Sequence, residues 1–149
     1  MDDPCDVGEE EIMSRNKQLT KSASRVRNQG EVFTPINFAM HIFQRWMKVS
    51  CRQPEDVFVD LQCGTGNLLK AVLLWKIENN LSKEDAFRTI LGVDLLHDNV
   101  EDCRRQLLST AGVEDVELFR LLVTQNIIQG DSVKNTVDEL FCANMLPEK

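Results

Sequence analysis

Along most of the chain apolar residues recur in two rhythms, one helical and one compact and strand-like. Ile36, Ala39, Ile42, Phe43, Trp46 and Met47 fall at helical spacing and predict a helix over residues 35–48. Thr34 suits its N-cap and Pro35 its first turn. Residues 57–61 (VFVDL) are rich in β-branched and aromatic groups and predict a short buried strand. After two glycines the run from Asn67 (NLLKAVLLWKI) is apolar on more than one stripe, which predicts a well-buried helix. Ser82, with Asp85 three residues on, opens a short helix by the capping pattern. A second strand follows over 89–93, ended by Asp94. Next comes a helix capped by Asp98 with Val100, Cys103 and Leu107 inward, then another carrying Val113, Val116, Phe119 and Leu122. A third strand is expected over 125–128, and a last amphipathic segment holds Val133, Val137, Leu140 and Phe141.

Strands alternating with helices predict an α/β fold: a truncated parallel sheet flanked by helices, one mononucleotide-binding half of a Rossmann-like fold. With no fourth strand beside it, the first strand should be an apolar open edge that a partner or a terminal segment covers. Residues 1–28 are polar and poor in large apolar groups, so they are expected to form a flexible arm ahead of a domain over residues 29–149.

Composition narrows the functional classes. The 149 residues carry a net charge of −7, which argues against gripping duplex DNA alone. Arg15, Lys17, Lys21, Arg25 and Arg27 form the one basic stretch, read as a solvated arm or as a phosphate-contacting one. The five cysteines form no CxxC pair and stand apart from both histidines, so neither a zinc site nor a disulfide framework is expected. No apolar run reaches the ~18 residues of a membrane span. The acidic N-terminus lacks a signal-peptide core, and a cytoplasmic location is expected.

The sharpest chemical signal is Asp60-Leu61-Gln62-Cys63-Gly64-Thr65-Gly66-Asn67, where a strand passes through two glycines into a helix. Glycines allow a tight turn and close ligand approach, and a helix start offers free N–H groups to an anion. A turn that merely needs glycine is the plain alternative. A dinucleotide fingerprint wants a third glycine where Leu69 stands, and a P-loop wants Gly-Lys-Ser/Thr, which is missing. S-adenosylmethionine remains: its carboxylate suits the helix start and its ammonium an acid at the strand end. Asp94, ending the second strand, stands where ribose hydroxyls are held in nucleoside-binding folds. Gly130-Asp131-Ser132 after the third strand is suited to reading an adenine edge.

Taken together these segments resemble the cofactor-binding half of N6-adenine DNA methyltransferases of phage and restriction-modification type. Gly30-Glu31-Val32-Phe33-Thr34-Pro35 resembles their opening motif, residues 60–69 their cofactor loop, and residues 126–132 their third cofactor motif, in family order from about residue 27 to 133. The resemblance implies that Phe33, Thr34 and Pro35 flank the cofactor, and that Asp60, Cys63, Gly64 and Gly66 line its methionine end. It also implies that Asp94 takes the ribose hydroxyls with Leu95 against the adenine, and that Asp131 and Ser132 sit at the adenine amino group.

One family element is missing. These methylases hold the target amino group in an Asn-Pro-Pro-Tyr type of loop and stack its aromatic on the flipped base. The chain has no Pro-Pro and no Tyr, and the nearest stretch is Asn144-Met145-Leu146-Pro147. No catalytic residue is therefore assigned, and the chain alone is expected to be inactive. Two readings stand: a methylase subunit completed by a second polypeptide or a second copy, meeting DNA only within a complex, or a cofactor-binding decoy or regulator of a methylase. A nucleotide-dependent oxidoreductase is disfavoured by the absent third glycine.

Overall fold

The structure, a computed structural model, describes residues 20–29 and 31–141. The chain divides into two compact units, Met1–Pro35 and Ile36–Lys149. In the first unit, residues Ala23–Gln29 form helix α1 within the stretch expected to be a flexible arm. Ser22 Oγ accepts from the Arg25 N–H at 3.2 Å, satisfying a donor at the helix start. Arg25 Nε pairs with Glu31 Oε2 at 2.6 Å. Arg15, Lys17, Gly30 and the Asn144-Met145-Leu146-Pro147 stretch lie outside the described residues.

The second unit runs α2 (Ile36–Ser50), β1 (Phe58–Asp60), α3 (Asn67–Glu78), α4 (Lys83–Arg88), β2 (Ile90–Asp94), α5 (His97–Ala111), α6 (Glu117–Asn126), β3 (Ile127–Gln129) and α7 (Val137–Phe141). The strands are parallel in the order β1-β2-β3, an α/β arrangement compatible with a truncated Rossmann-like fold. Phe58 pairs with Ile90, Asp60 with Gly92 and Gly92 with Ile127, so these residues share one face. Helices α3 and α5 cover that face: a Cβ built on Gly92 would meet Leu69 Cδ1 at 2.8 Å and Ile127 Cδ1 at 3.1 Å. The core is Leu69, Val72, Leu73, Phe87, Ile90, Val100, Leu107 and Ile127 with an aromatic cluster at one side. In that cluster Phe43 of α2 lies 5.7 Å from Phe58 and 5.5 Å from Trp75, both edge-on.

On the opposite face Val59, Leu91, Val93 and Ile128 stand in register. Val93 is buried while Val59 remains 41% exposed. Among the described residues β1 pairs with β2 alone, so its other side is open, and Val57 beside it is 60% exposed. A parallel sheet is normally covered on both faces.

Several expected boundaries move, each for a nonlocal reason. The strand expected over 125–128 begins at Ile127, because α6 runs through Asn126. Arg104 of α5 fixes that end by donating to the carbonyls of Thr124 at 3.1 Å and Ile127 at 2.7 Å. Val113 belongs to the turn before α6. Gly112 (φ 63) ends α5 in the left-handed region, and the Val113 N–H closes back on Leu108 O at 3.1 Å. Asp98 does not cap α5; it lies in the first turn, after Leu96. Ser82 caps α4 as expected, accepting from the Asp85 N–H at 3.0 Å. Of the last amphipathic segment, Phe141 is buried but Val133 is 87% exposed. Among the described residues no helix is long and apolar enough to cross a membrane.

Candidate functional site at the carboxyl ends of the strands

Asp60 ends β1, Asp94 ends β2, and Gly130 follows β3, so three strand ends meet on one rim of the sheet. Between β1 and α3 the chain turns back over β2, with the Cys63 N–H donating to Val93 O at 2.9 Å. Gly64 (φ 52) and Gly66 (φ 91) both take left-handed conformations that disfavour any side chain. At Gly66 a second constraint acts: an added Cβ would stand 2.5 Å from Cys103 Sγ on α5. That glycine is thus required by helix packing as well as by the turn. Gly66 caps α3 with no side-chain hydrogen bond, and Lys70 N–H to Gly66 O, at 2.8 Å, is the first helical bond. The first-turn N–H groups of a helix find no partner within the helix itself.

Asp94 ties the rim together. Its Oδ2 accepts from the Gly64 N–H at 3.0 Å, while its Oδ1 accepts from the Leu96 N–H at 2.9 Å and Asn99 Nδ2 at 3.1 Å. Its own carbonyl accepts from the Gly130 N–H at 3.0 Å. The glycine loop, the start of α5 and the β3 turn are therefore all fastened to one residue. Asp60 stands beside it. Burial pushes its carboxyl above the ordinary value, the Gln62 N–H (3.1 Å from Oδ1) pulls it back, and the negative charge of Asp94 adds to the rise.

The Cys63 side chain faces the core. It is 6% exposed, and its thiol packs against Cys103, whose hydrogen bond and the surrounding burial push it well above the usual thiol range. The Cys63 thiol therefore stays protonated and unreactive at neutral pH, and within the loop it donates only to Gly64 O, at 3.8 Å. Leu95 is 51% exposed, and its carbonyl accepts from Gln129 Nε2 at 3.0 Å. Asp131 is engaged by its own turn: Oδ1 accepts from the Val133 N–H at 3.1 Å, and Lys134 Nζ lies 3.2 Å from Oδ2. The Lys134 hydrogen bond, with the turn N–H groups, holds its carboxyl below the ordinary value. Ser132 Oγ donates to Leu61 O at 2.8 Å, joining the β3 turn to the end of β1.

Asp60, Gly64, Gly66, Asp94, Leu95, Asp131 and Ser132 thus collect on one rim. Phe33, Thr34 and Pro35 belong to the first unit, where Lys21 Nζ sits 6.0 Å from the Phe33 ring centroid. Two depressions flank the loop. One, of about 370 Å³, follows the open side of β1 past Trp46, Val57, Val59 and Leu68 and ends on Asp60. The other, of about 680 Å³, is polar and lies behind Thr65 among Lys70, Arg105, Gln106 and Ser109.

Sequence reasoning missed Asn99. It is 1% exposed, a buried amide whose only sequence signal is its place five residues after the strand-ending acid, one turn into α5. Comparison with known proteins returns no match: no family model, no curated protein and no solved structure matches the chain.

Proposed function

We propose that the rim binds S-adenosylmethionine and that the chain is the cofactor-binding half of an N6-adenine DNA methyltransferase, working with a second polypeptide that supplies the target-base loop. The observation that carries this reading is the Gly64–Asp94 hydrogen bond of 3.0 Å, which joins a glycine turn to a strand-end acid on adjacent parallel strands. Ligands of open α/β sheets bind outside the carboxyl ends of the strands, where this bond lies.

The donor set fits the cofactor. The start of α3, whose N-cap is a glycine without a side chain to cap it, can offer N–H groups to a carboxylate. Asp60, raised by burial and by Asp94, lacks a cationic partner among its perturbing groups, and an ammonium or sulfonium would relieve both acids. Asp94 would take ribose, Leu95 the adenine face, and the Gly130-Asp131-Ser132 turn the adenine edge. When bound, the cofactor supplies an electrophilic methyl group. The residues of the rim orient it.

The open side of β1 and the exposed Val57 and Val59 favour a partner, either another polypeptide or a second copy of the chain. The net charge of −7 favours DNA contact through that partner. A second reading, a cofactor-binding decoy or regulator of a methylase, is favoured by the absence of Pro-Pro and of Tyr from the 149 residues.

Equilibrium dialysis with labelled S-adenosylmethionine, together with a methyl-transfer assay on adenine-containing DNA, tests the proposal. Saturable binding displaced by S-adenosylhomocysteine, with no transfer by the chain alone, is expected. No binding overturns it, and transfer by the chain alone overturns the need for a partner.

A further inference from the structure

Asp94 does not present two equivalent oxygens to a ligand. A carboxylate offers about four lone-pair positions, two on each oxygen. Oδ1 already accepts two donors, the Leu96 N–H at 2.9 Å and Asn99 Nδ2 at 3.1 Å. Oδ2 accepts one, the Gly64 N–H at 3.0 Å. The two donors on Oδ1 are fixed in place, since Leu96 is the N-cap of α5 and Asn99 lies in that helix's first turn, 1% exposed. Turning either away would cost a hydrogen bond to a carboxylate inside the fold.

We propose that Asn99 is a positioning residue that closes Asp94 Oδ1, so that Asp94 accepts a single hydroxyl of its ligand, through Oδ2, and cannot clasp a ribose diol with both oxygens. This rests on the reading of the rim as a nucleoside site and sharpens it: of the two ribose hydroxyls, recognition by Asp94 depends on one. Asn99 acts through Asp94 and need not touch the ligand. The same brace keeps Oδ2 on the Gly64 N–H, so the rotamer that serves the ligand is also the one that closes the glycine loop.

Calorimetric titration of the full chain with S-adenosylhomocysteine and with its 2′-deoxy and 3′-deoxy forms provides the test. One deoxy form should bind about 10- to 100-fold more weakly, the loss of a hydrogen bond to a charged group, and the other within about 3-fold of the parent. In Asn99→Ala, where Oδ1 gains an open position, the difference between the two deoxy forms should shrink. A merely destabilised protein would lose all three ligands in proportion and keep the ratio. If Asn99→Ala fails to fold, the comparison on the unaltered chain still decides. Equal losses for the two deoxy forms overturn the inference while leaving the nucleoside site standing. No binding of the parent compound overturns the nucleoside reading and this inference with it.

Discussion

The two ends of the sheet each carry a buried polar centre, and they are built differently. At the amino ends of β1 and β2 the Lys76 side chain is 0% exposed, and its ammonium donates to Pro54 O at 2.5 Å, Asp56 O at 2.7 Å and Thr89 Oγ1 at 2.9 Å. Three donors meet three acceptors, and the ammonium lies 4.8 Å from the Phe58 ring centroid. Burial still pushes it down to about 8, against the pull of Asp56 and Glu55. At the carboxyl ends two acids crowd together, glycines hold left-handed turns, and α3 starts without a side-chain cap. The first end is saturated by the chain itself and serves stability. The second retains unfilled polar capacity and a charge imbalance, the condition in which a site has something to offer a ligand.

That contrast is broken most severely at the saturated end. Lys76→Ala strands three acceptors and opens a cavity beside Phe58, so it should lower unfolding free energy by about 3–5 kcal/mol in urea titrations. Ligand affinity of the remaining folded protein should be unchanged. A loss under about 1 kcal/mol would show that water replaces the ammonium and that this end is not closed.

At the other end Gly66→Ala should come next in size, about 2–3 kcal/mol of stability, because the φ of 91° and the 2.5 Å approach to Cys103 Sγ both oppose a Cβ. Pairing it with Cys103→Ala should recover part of that loss, as a double-mutant cycle would show. Asp94→Asn puts an amide NH2 against either the Gly64 N–H or the Leu96 and Asn99 donors. S-adenosylmethionine affinity should fall about 10- to 100-fold by calorimetry, with a smaller loss in melting temperature.

The smallest effect carries the clearest sign. The folded protein raises the Asp60 carboxyl above its unfolded value, so it holds a proton there that the unfolded chain has released. The contribution of Asp60 to stability is fully present below the unfolded value, near pH 4, and is lost as pH rises through the folded one. Asp60→Asn should therefore match the parent in acid and exceed it by about 0.5–1 kcal/mol at neutral pH, while binding the cofactor more weakly. A variant less stable than the parent at neutral pH would show that Asp60 is not under charge strain.

The order of strands and helices was legible because the apolar periods are strong: 57–61 and 89–93 read as strands, and Asn67 and Ser82 mark helix starts where the structure has them. The glycine turn and the strand-end acid were legible because each has a local signature. What escaped is what depends on distant partners. The end of α6 is set by Arg104, one helix away, and local sequence carries no trace of that bond. Cys63 belongs to the loop by position, yet its thiol packs on Cys103, forty residues along. Lys76 looks like a solvated helix residue until Pro54, Asp56 and Thr89 are brought round it. Asn99 becomes visible only when Asp94 turns toward it.

The central claim is that the carboxyl rim is the ligand-binding end and the Lys76 end is not, and amide chemical shifts measured during titration with S-adenosylhomocysteine test it most directly. The backbone N–H groups of Gly64, Gly66, Leu96 and Gly130 should shift together and saturate, while those of Asp56, Ile77 and Thr89 stay in place. Unmoved rim amides, or shifts confined to the Lys76 end, would contradict it.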